Sequence, residues 1–389
     1  MIVKNEAENL PRCLSSVQAV ADQLVVLDTG STDTTIAIAK SFNAEVYQFT
    51  WVNDFSAARN QALQYVTGDW VLVLDADEVL VPEVVPTLRL AMQQEKALVI
   101  NLIRQEIGAT QSPYSLVSRL FRRHPKIYFS RPYHAMVDDS VAALLQTEPE
   151  WQVINCSDVA ILHYGYEPGT IASRNKLEQA RTTMEGFLAA HPDDAYVCSK
   201  LGALYVEMND WQQGVRLLER GAAAEAEPPV RYELHYHLGI AYTRLQNPER
   251  AEQHYRLAIQ QPVLEQLKLG AYNNLGGLLK AKADLAGAAT CYEACLAIDP
   301  TFAMGHCNLG MTLKAMNQLE AAIAHYQQAI QLNPTYADAY QNLGVALLKV
   351  GQVSESLTAF RQAIELHQQQ NPAEAARLRQ GLAEMGFQV

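Results

Sequence analysis

Trp70-Val71-Leu72-Val73-Leu74 followed by Asp75-Ala76-Asp77-Glu78 is the stretch on which the fold of the first half turns. Five apolar residues without alternation predict a strand buried on both faces, as in a sheet covered by helices. Three acids at its end then lie where an open α/β sheet binds its ligand. Such carboxylates repel one another and desolvate poorly, so a positive group has to sit among them. A divalent cation bridging a diphosphate meets that need, since hard oxygen ligands suit Mg²⁺ or Mn²⁺.

Working outward, short β-branched runs alternate with amphipathic stretches up to about Tyr164. Ile2-Val3, Leu24 to Leu27 and Glu45 to Phe49 read as strands, and Leu10 to Val20, Thr34 to Phe42 and Asp54 to Tyr65 as helices. The pattern predicts a parallel sheet with crossover helices. A second strand end stands out, Asp28-Thr29-Gly30-Ser31-Thr32-Asp33, where Gly30 permits a tight turn and Ser31 or Thr32 can cap the next helix.

Beyond Thr170 the periodicity becomes helical throughout, and self-similarity decides the reading. Leu-Gly recurs at Leu275-Gly276, Leu309-Gly310 and Leu343-Gly344, a step of 34 residues (309 − 275 and 343 − 309) kept also by Tyr292, Tyr326 and Phe360. Earlier copies at Leu201-Gly202 and Leu238-Gly239 are spaced by 37 (238 − 201), for five repeats in all. The domains expected are 1–168 for the α/β part, 169–190 for a linking helix and 191–389 for the repeats.

Composition narrows the function classes. With 49% apolar and 19% charged residues the chain is an ordinary folded protein, and a net charge of −12 disfavours nucleic acid and anionic membranes as partners. No apolar run approaches the ~20 residues of a bilayer span, and no apolar signal core follows Met1, so a cytoplasmic location is expected. Cys13, Cys156, Cys198, Cys291, Cys295 and Cys307 form no CxxC pair and read as small buried residues.

The repeats resemble the tetratricopeptide family, whose helix pairs stack into a solenoid with a concave binding face. That resemblance points to Asn274, Asn308 and Asn342, each just before its Leu-Gly, as a ladder for an extended peptide, and so to a protein or peptide partner. A basic pattern for gripping a C-terminal carboxylate is absent from the neighbouring Asn273, Cys307 and Gln341.

The first half also carries a specific resemblance. Ile2-Val3-Lys4-Asn5-Glu6, Val25 to Asp33, Trp51 to Asn60 and Gly68-Asp69-Trp70 to Glu78 are similar, in order and spacing, to the family-2 glycosyltransferases of the GT-A fold. The resemblance implies a nucleoside-diphosphate-sugar donor, with Asn5, Glu6, Asp28 and Asp33 holding base and ribose, and Arg59 and Asn60 facing the nucleotide. It places Asp75 at the ribose or diphosphate, Asp77 on the Mg²⁺ or Mn²⁺, and His163, in a His-Tyr-Gly segment ending at Tyr166, near metal or diphosphate. An inverting, in-line displacement is implied, which needs a general base for the acceptor.

There the chain departs from its pattern. Relatives with such repeats carry a His-Glu pair where Tyr133-His134-Ala135 stands, so Asp138, Asp139 or His134 takes over as base, or the domain is an impaired scaffold whose repeats bind partners. Family members also have several residues before Ile2, so the first strand here is short and a start upstream of Met1 stays open. A sugar-phosphate nucleotidyltransferase would need a Gly-rich phosphate loop where Asn5-Glu6-Ala7-Glu8 is acidic, and that reading is set aside.

Overall fold

A computed structural model describes residues 1–109, 112–165 and 174–387. Tyr166, the expected boundary after Pro168 and the first residues of the expected linking helix lie outside the described residues. The chain divides into two compact units, Met1–Ala226 and Glu227–Val389.

The first unit opens with β1 (Ile2–Val3), α1 (Leu10–Val17), β2 (Val25–Asp28), α2 (Thr35–Ser41), β3 (Glu45–Gln48) and α3 (Phe55–Leu63). The three strands pair in parallel in the order β1-β2-β3, as the alternation of strands and helices predicts. Pro11 sits in the first turn of α1, where a missing N–H costs nothing, and Asp54 caps α3 by accepting from the Ala57 N–H.

The next strands depart from the single parallel sheet expected. These are β4 (Trp70–Leu72), β5 (Glu78–Leu80), β6 (Ala97–Glu106), β7 (Tyr114–Arg122) and β8 (Gln152–His163), with α4 (Val85–Met92) and α5 (Asp138–Thr147) between them. They form a second sheet in the order β4-β7-β6-β8-β5, in which only β6 and β8 are parallel. The link between β6 and β7 is too short for a crossover helix, so β7 returns antiparallel and becomes the partner of β4. Val71, Val73 and Leu74 are buried as the apolar run predicts, split between the two faces of this sheet.

The unit closes with α6 (Arg174–Ala190), α7 (Ala195–Glu207) and α8 (Trp211–Ala223), around a core of Met184, Leu188, Val197, Cys198, Leu201 and Leu217. The second unit is helical throughout. It pairs α9 (Pro228–Arg244) with α10 (Pro248–Ile259), α11 (Leu269–Ala281) with α12 (Leu285–Ile298), α13 (Ala303–Ala315) with α14 (Leu319–Leu332), and α15 (Ala337–Lys349) with α16 (Val353–Gln370). Helix α17 (Pro372–Glu384) follows and packs on α16.

The recurring glycine has a steric cause. A Cβ added at Gly239, Gly276, Gly310 or Gly344 would stand 2.4, 2.8, 2.7 or 3.0 Å from the ring of Tyr255, Tyr292, Tyr326 or Phe360. The aromatic of the second helix thus lies against the bare backbone of the first, which is why both positions repeat together. All six cysteines are buried and unbridged, as expected. Among the described residues no helix is long and apolar enough to cross a membrane.

Candidate functional site

The acids after β4 are indeed compensated, chiefly by arginines. Asp75 accepts from Arg59 Nη2 at 2.9 Å and from Arg119 Nη2 at 2.7 Å, and Arg119 rises from β7 beside β4. Glu78, fully buried, accepts from Arg104 Nη1 at 2.9 Å and from the Asp75 backbone N–H at 2.9 Å. Burial favours the neutral acid at Asp75, yet the two guanidiniums hold it far below the usual carboxylate range. The expectation that a bridging cation must reconcile all three acids is therefore corrected: three guanidiniums serve Asp75 and Glu78.

Asp77 is the acid left outside this arginine network. Its Oδ2 lies 3.2 Å from His163 Nε2, and His163 Nδ1 lies 2.5 Å from Glu106, which Arg104 holds at 2.8 Å. Burial pulls the His163 pKa down, but hydrogen bonds to Asp77 and Glu106 outweigh it and raise the value to about 9. Gly165 completes the corner: a Cβ there would stand 2.7 Å from the His163 ring and 3.4 Å from Asp77 Oδ2.

Asp77 and His163 are the side chains of this corner that could hold a hard or borderline cation shared with a ligand, the ion taking the place of the His163 proton. An imidazole nitrogen is aimed at a carboxylate oxygen, and its other nitrogen is anchored by a second carboxylate, the usual support of a metal-bound histidine. Among the described residues no three such side chains converge, so an ion here would take its remaining oxygens from diphosphate and water. Arg59 Nε and Arg119 Nη1 are buried without an acceptor, a demand that an anionic oxygen would meet.

The residues expected at the base and ribose come together at the ends of β1 and β2. Asn5, at φ 56°, accepts from the Thr32 N–H at 2.7 Å while its own N–H donates to Ser31 Oγ at 2.9 Å. Asp28 is 2% exposed and accepts from the Gly30 and Ser31 N–H groups, so it shapes the turn from beneath. Asp33 accepts from the Thr35 N–H at 2.9 Å and the Ala7 N–H at 3.2 Å, and hydrogen bonds from Thr35 lower its pKa. Glu6 donates its backbone N–H to Thr35 Oγ1 at 2.8 Å and accepts from Asn9 at 3.1 Å on its side chain.

The Arg59-Asn60 pair divides. Arg59 enters the cleft, reaching Asp75 and donating through Nη1 to the Ala135 carbonyl at 2.9 Å. Asn60 instead holds the Phe129 backbone, donating to its carbonyl at 2.9 Å and accepting from its N–H at 2.7 Å. Both ends of its amide are occupied by that backbone.

The three candidate bases also separate. Asp138 accepts from Ser118 Oγ at 2.8 Å, and burial raises its pKa. Ser118 and Arg119 together oppose Asn101 at a bulge in β7, with Val117 and Leu120 packed in one core on the other face, so Asp138 lies on the same face of the sheet as the arginine that holds Asp75. Asp139, near the start of α5, pairs with Ser130 and Arg131. His134 is exposed, and the carbonyl of the next residue is the one that Arg59 holds, so His134 borders the cleft.

In the second unit, Asn308 donates to Asn273 at 2.9 Å, and Asn342 accepts from Lys314 at 2.7 Å. Asn274 supplies a side-chain hydrogen bond to Tyr255. The reading of basic residues from immediate neighbours missed Lys280 and Lys314, each six residues after its asparagine. Burial lowers the pKa of both. Equally missed were Arg104, Glu106 and Arg119, whose only sequence signal is a charge within an apolar strand.

Residues 1–154 match the model of glycosyl transferase family 2, and tetratricopeptide repeat models match segments between 199 and 378. The chain is 48% identical over 286 residues, 73% of its own length and 71% of the relative's, to a TPR repeat-containing protein of Synechococcus elongatus. It is 28% identical over 209 residues to the SPbeta prophage-derived glycosyltransferase SunS of Bacillus subtilis, covering 50% of this chain and 45% of SunS. Among solved structures, YrrB, a TPR protein with an unusual peptide-binding site, aligns at a TM-score of 0.43 and 15% identity over 52% of this chain and all of that one.

Proposed function

This chain belongs to glycosyl transferase family 2 and is a glycosyltransferase with a tetratricopeptide domain, and we propose that its cleft transfers a sugar from a nucleoside-diphosphate donor by a metal-assisted, inverting displacement. The observation that carries the reading is the division of labour after β4: Asp75 is taken by Arg59 and Arg119, while Asp77 stands with His163.

The loops of Asn5, Glu6, Asp28 and Asp33 hold the base and ribose, and the unpaired N–H groups of Arg59 and Arg119 take diphosphate oxygens. Asp77 and His163 would hold Mg²⁺ or Mn²⁺, which supplies charge neutralisation for the departing nucleoside diphosphate. Glu106 orients the His163 ring through Nδ1, which would leave Nε2 to serve the ion beside Asp77. Asp138 is held by Ser118 and Asp139 by Ser130 and Arg131, while His134 is exposed at the edge of the cleft, so His134 acts as the base that removes the acceptor proton as the anomeric carbon is attacked. The asparagine and lysine face of the repeats takes a protein or peptide partner. SunS, being a glycosyltransferase, supports the reaction class for this chain.

The test is incubation with a panel of UDP-, GDP- and dTDP-sugars, with and without Mn²⁺, followed by assay for release of the nucleoside diphosphate. One of them is expected to be hydrolysed slowly, in a manner abolished by chelator and by Asp77→Asn. Absence of hydrolysis, together with no rise in melting temperature on adding UDP, GDP or dTDP with Mn²⁺, would return the domain to an inert scaffold.

A further inference from the structure

The loop carrying His134 has an unusual backbone and an unusual set of supports. Arg131 and His134 both take left-handed conformations, at φ 69° and 52°, which non-glycine residues adopt only where the surroundings enforce it. Within the loop, the Ser130 N–H donates to the Met136 carbonyl at 2.9 Å and the Met136 N–H returns the bond at 3.2 Å. On one side the enzyme domain contributes Phe55, whose N–H donates to the Pro132 carbonyl at 3.0 Å, and Arg59, which holds Ala135.

Further supports reach Arg131 and His134 from the first helical repeat. The Arg131 side chain, 9% exposed, forks between Asp139 and Asp194, reaching the latter at 2.9 Å. Asp194 is at the same time the N-cap of α7, accepting from the Val197 N–H at 2.8 Å. The Arg131 guanidinium stacks over the Tyr196 ring at 4.8 Å, and Tyr196 Oη donates to the His134 carbonyl at 3.4 Å. Tyr133, between them, packs against the same cluster as Leu177, Phe187 and Tyr196, which belongs to α6 and α7.

We propose that the first repeat is a working part of the catalytic unit, in which α7 holds the His134 loop in its left-handed conformation through Arg131, a positioning residue for the transfer. A fork between two carboxylates fixes a guanidinium in plane, so Arg131 couples the start of α5 to the cap of α7 with the loop between them. The loop and α7 lie in the same compact unit, Met1–Ala226. A ligand or partner that engages Tyr196 or Lys200 on α7 then acts on the acceptor side of the cleft. The catalytic half of this inference rests on His134 being the base.

The full-length chain tests it by hydrogen exchange and turnover together. Asp194→Asn keeps the α7 cap, because the amide oxygen accepts as the carboxylate does, but it removes the charge opposite Arg131. Exchange at the Ser130 and Met136 amides is expected to quicken by about tenfold, with the Cys198 amide of α7 unchanged. Arg131→Lys, which leaves the cap untouched and loses the fork, is expected to shift exchange the same way. With whichever UDP-, GDP- or dTDP-sugar the wild type hydrolyses, both variants are expected to lower kcat by about tenfold at unchanged donor KM.

Wild-type exchange at both amides in both variants overturns the proposal, as does a rise in donor KM at constant kcat. If the exchange result holds but the wild type turns over no sugar nucleotide, the base assignment fails while the brace stands.

Discussion

At the residue scale, the site is a problem of placing acids in a partly dry cleft. Arg119→Ala leaves Asp75 with one guanidinium and Glu78 with one, so we expect a loss of about 3 kcal/mol, read from the urea midpoint of the full chain. The base candidates separate by a pair of near-isosteric tests. His134→Gln should lower turnover by about 10²-fold or more, whereas Asp138→Asn should leave it within about twofold, since a general base contributes on the order of 10²–10⁴. A large loss at Asp138 with none at His134 would reverse the assignment. The acids Asp75 and Asp77 were legible because an apolar run followed by charges is a local pattern. Which partner each acid meets was not: Arg59 and His163, named by the resemblance, and Arg104 and Arg119, which it did not name, come from α3, β8, β6 and β7, and only the fold brings them to the acids.

At the scale of elements, the glycines of the second unit make opposite predictions from the same substitution. In α13, Gly310→Ala places a Cβ 2.7 Å from the Tyr326 ring, and overpacking should cost about 1–3 kcal/mol. In α11, Gly277→Ala meets nothing nearer than the Tyr292 hydroxyl at 3.7 Å, so the gain in helix propensity should stabilise by about 0.5–1 kcal/mol. Thermal unfolding of the two variants beside the wild type checks both signs. The repeats were legible because each is a local helix pair with its own spacing. Sheet order was legible only for β1 to β3, whose crossover helices dictate parallel neighbours; the strand pattern of 97–163 does not say which strand pairs with which.

At the scale of the molecule, the first compact unit extends to Ala226, and within it Tyr133 and Arg131 are packed and paired by α6 and α7. We therefore expect a fragment of residues 1–226 to unfold cooperatively, whereas residues 1–168 lose the support of the His134 loop and expose Tyr133. Circular-dichroism melts of both fragments decide this, and equal cooperativity would refute that support. The amino-acid sequence alone determined a family-2 α/β domain followed by five helical repeats, since periodicity, motif order and the 34-residue step are properties of neighbouring residues. Tertiary structure alone decided that arginines neutralise Asp75, that Asp77 answers to His163, that Asn60 serves the backbone, and that the first repeat braces the His134 loop. Each of these depends on side chains far apart along the chain meeting at set distances, and only the packed sheets and helices set those distances.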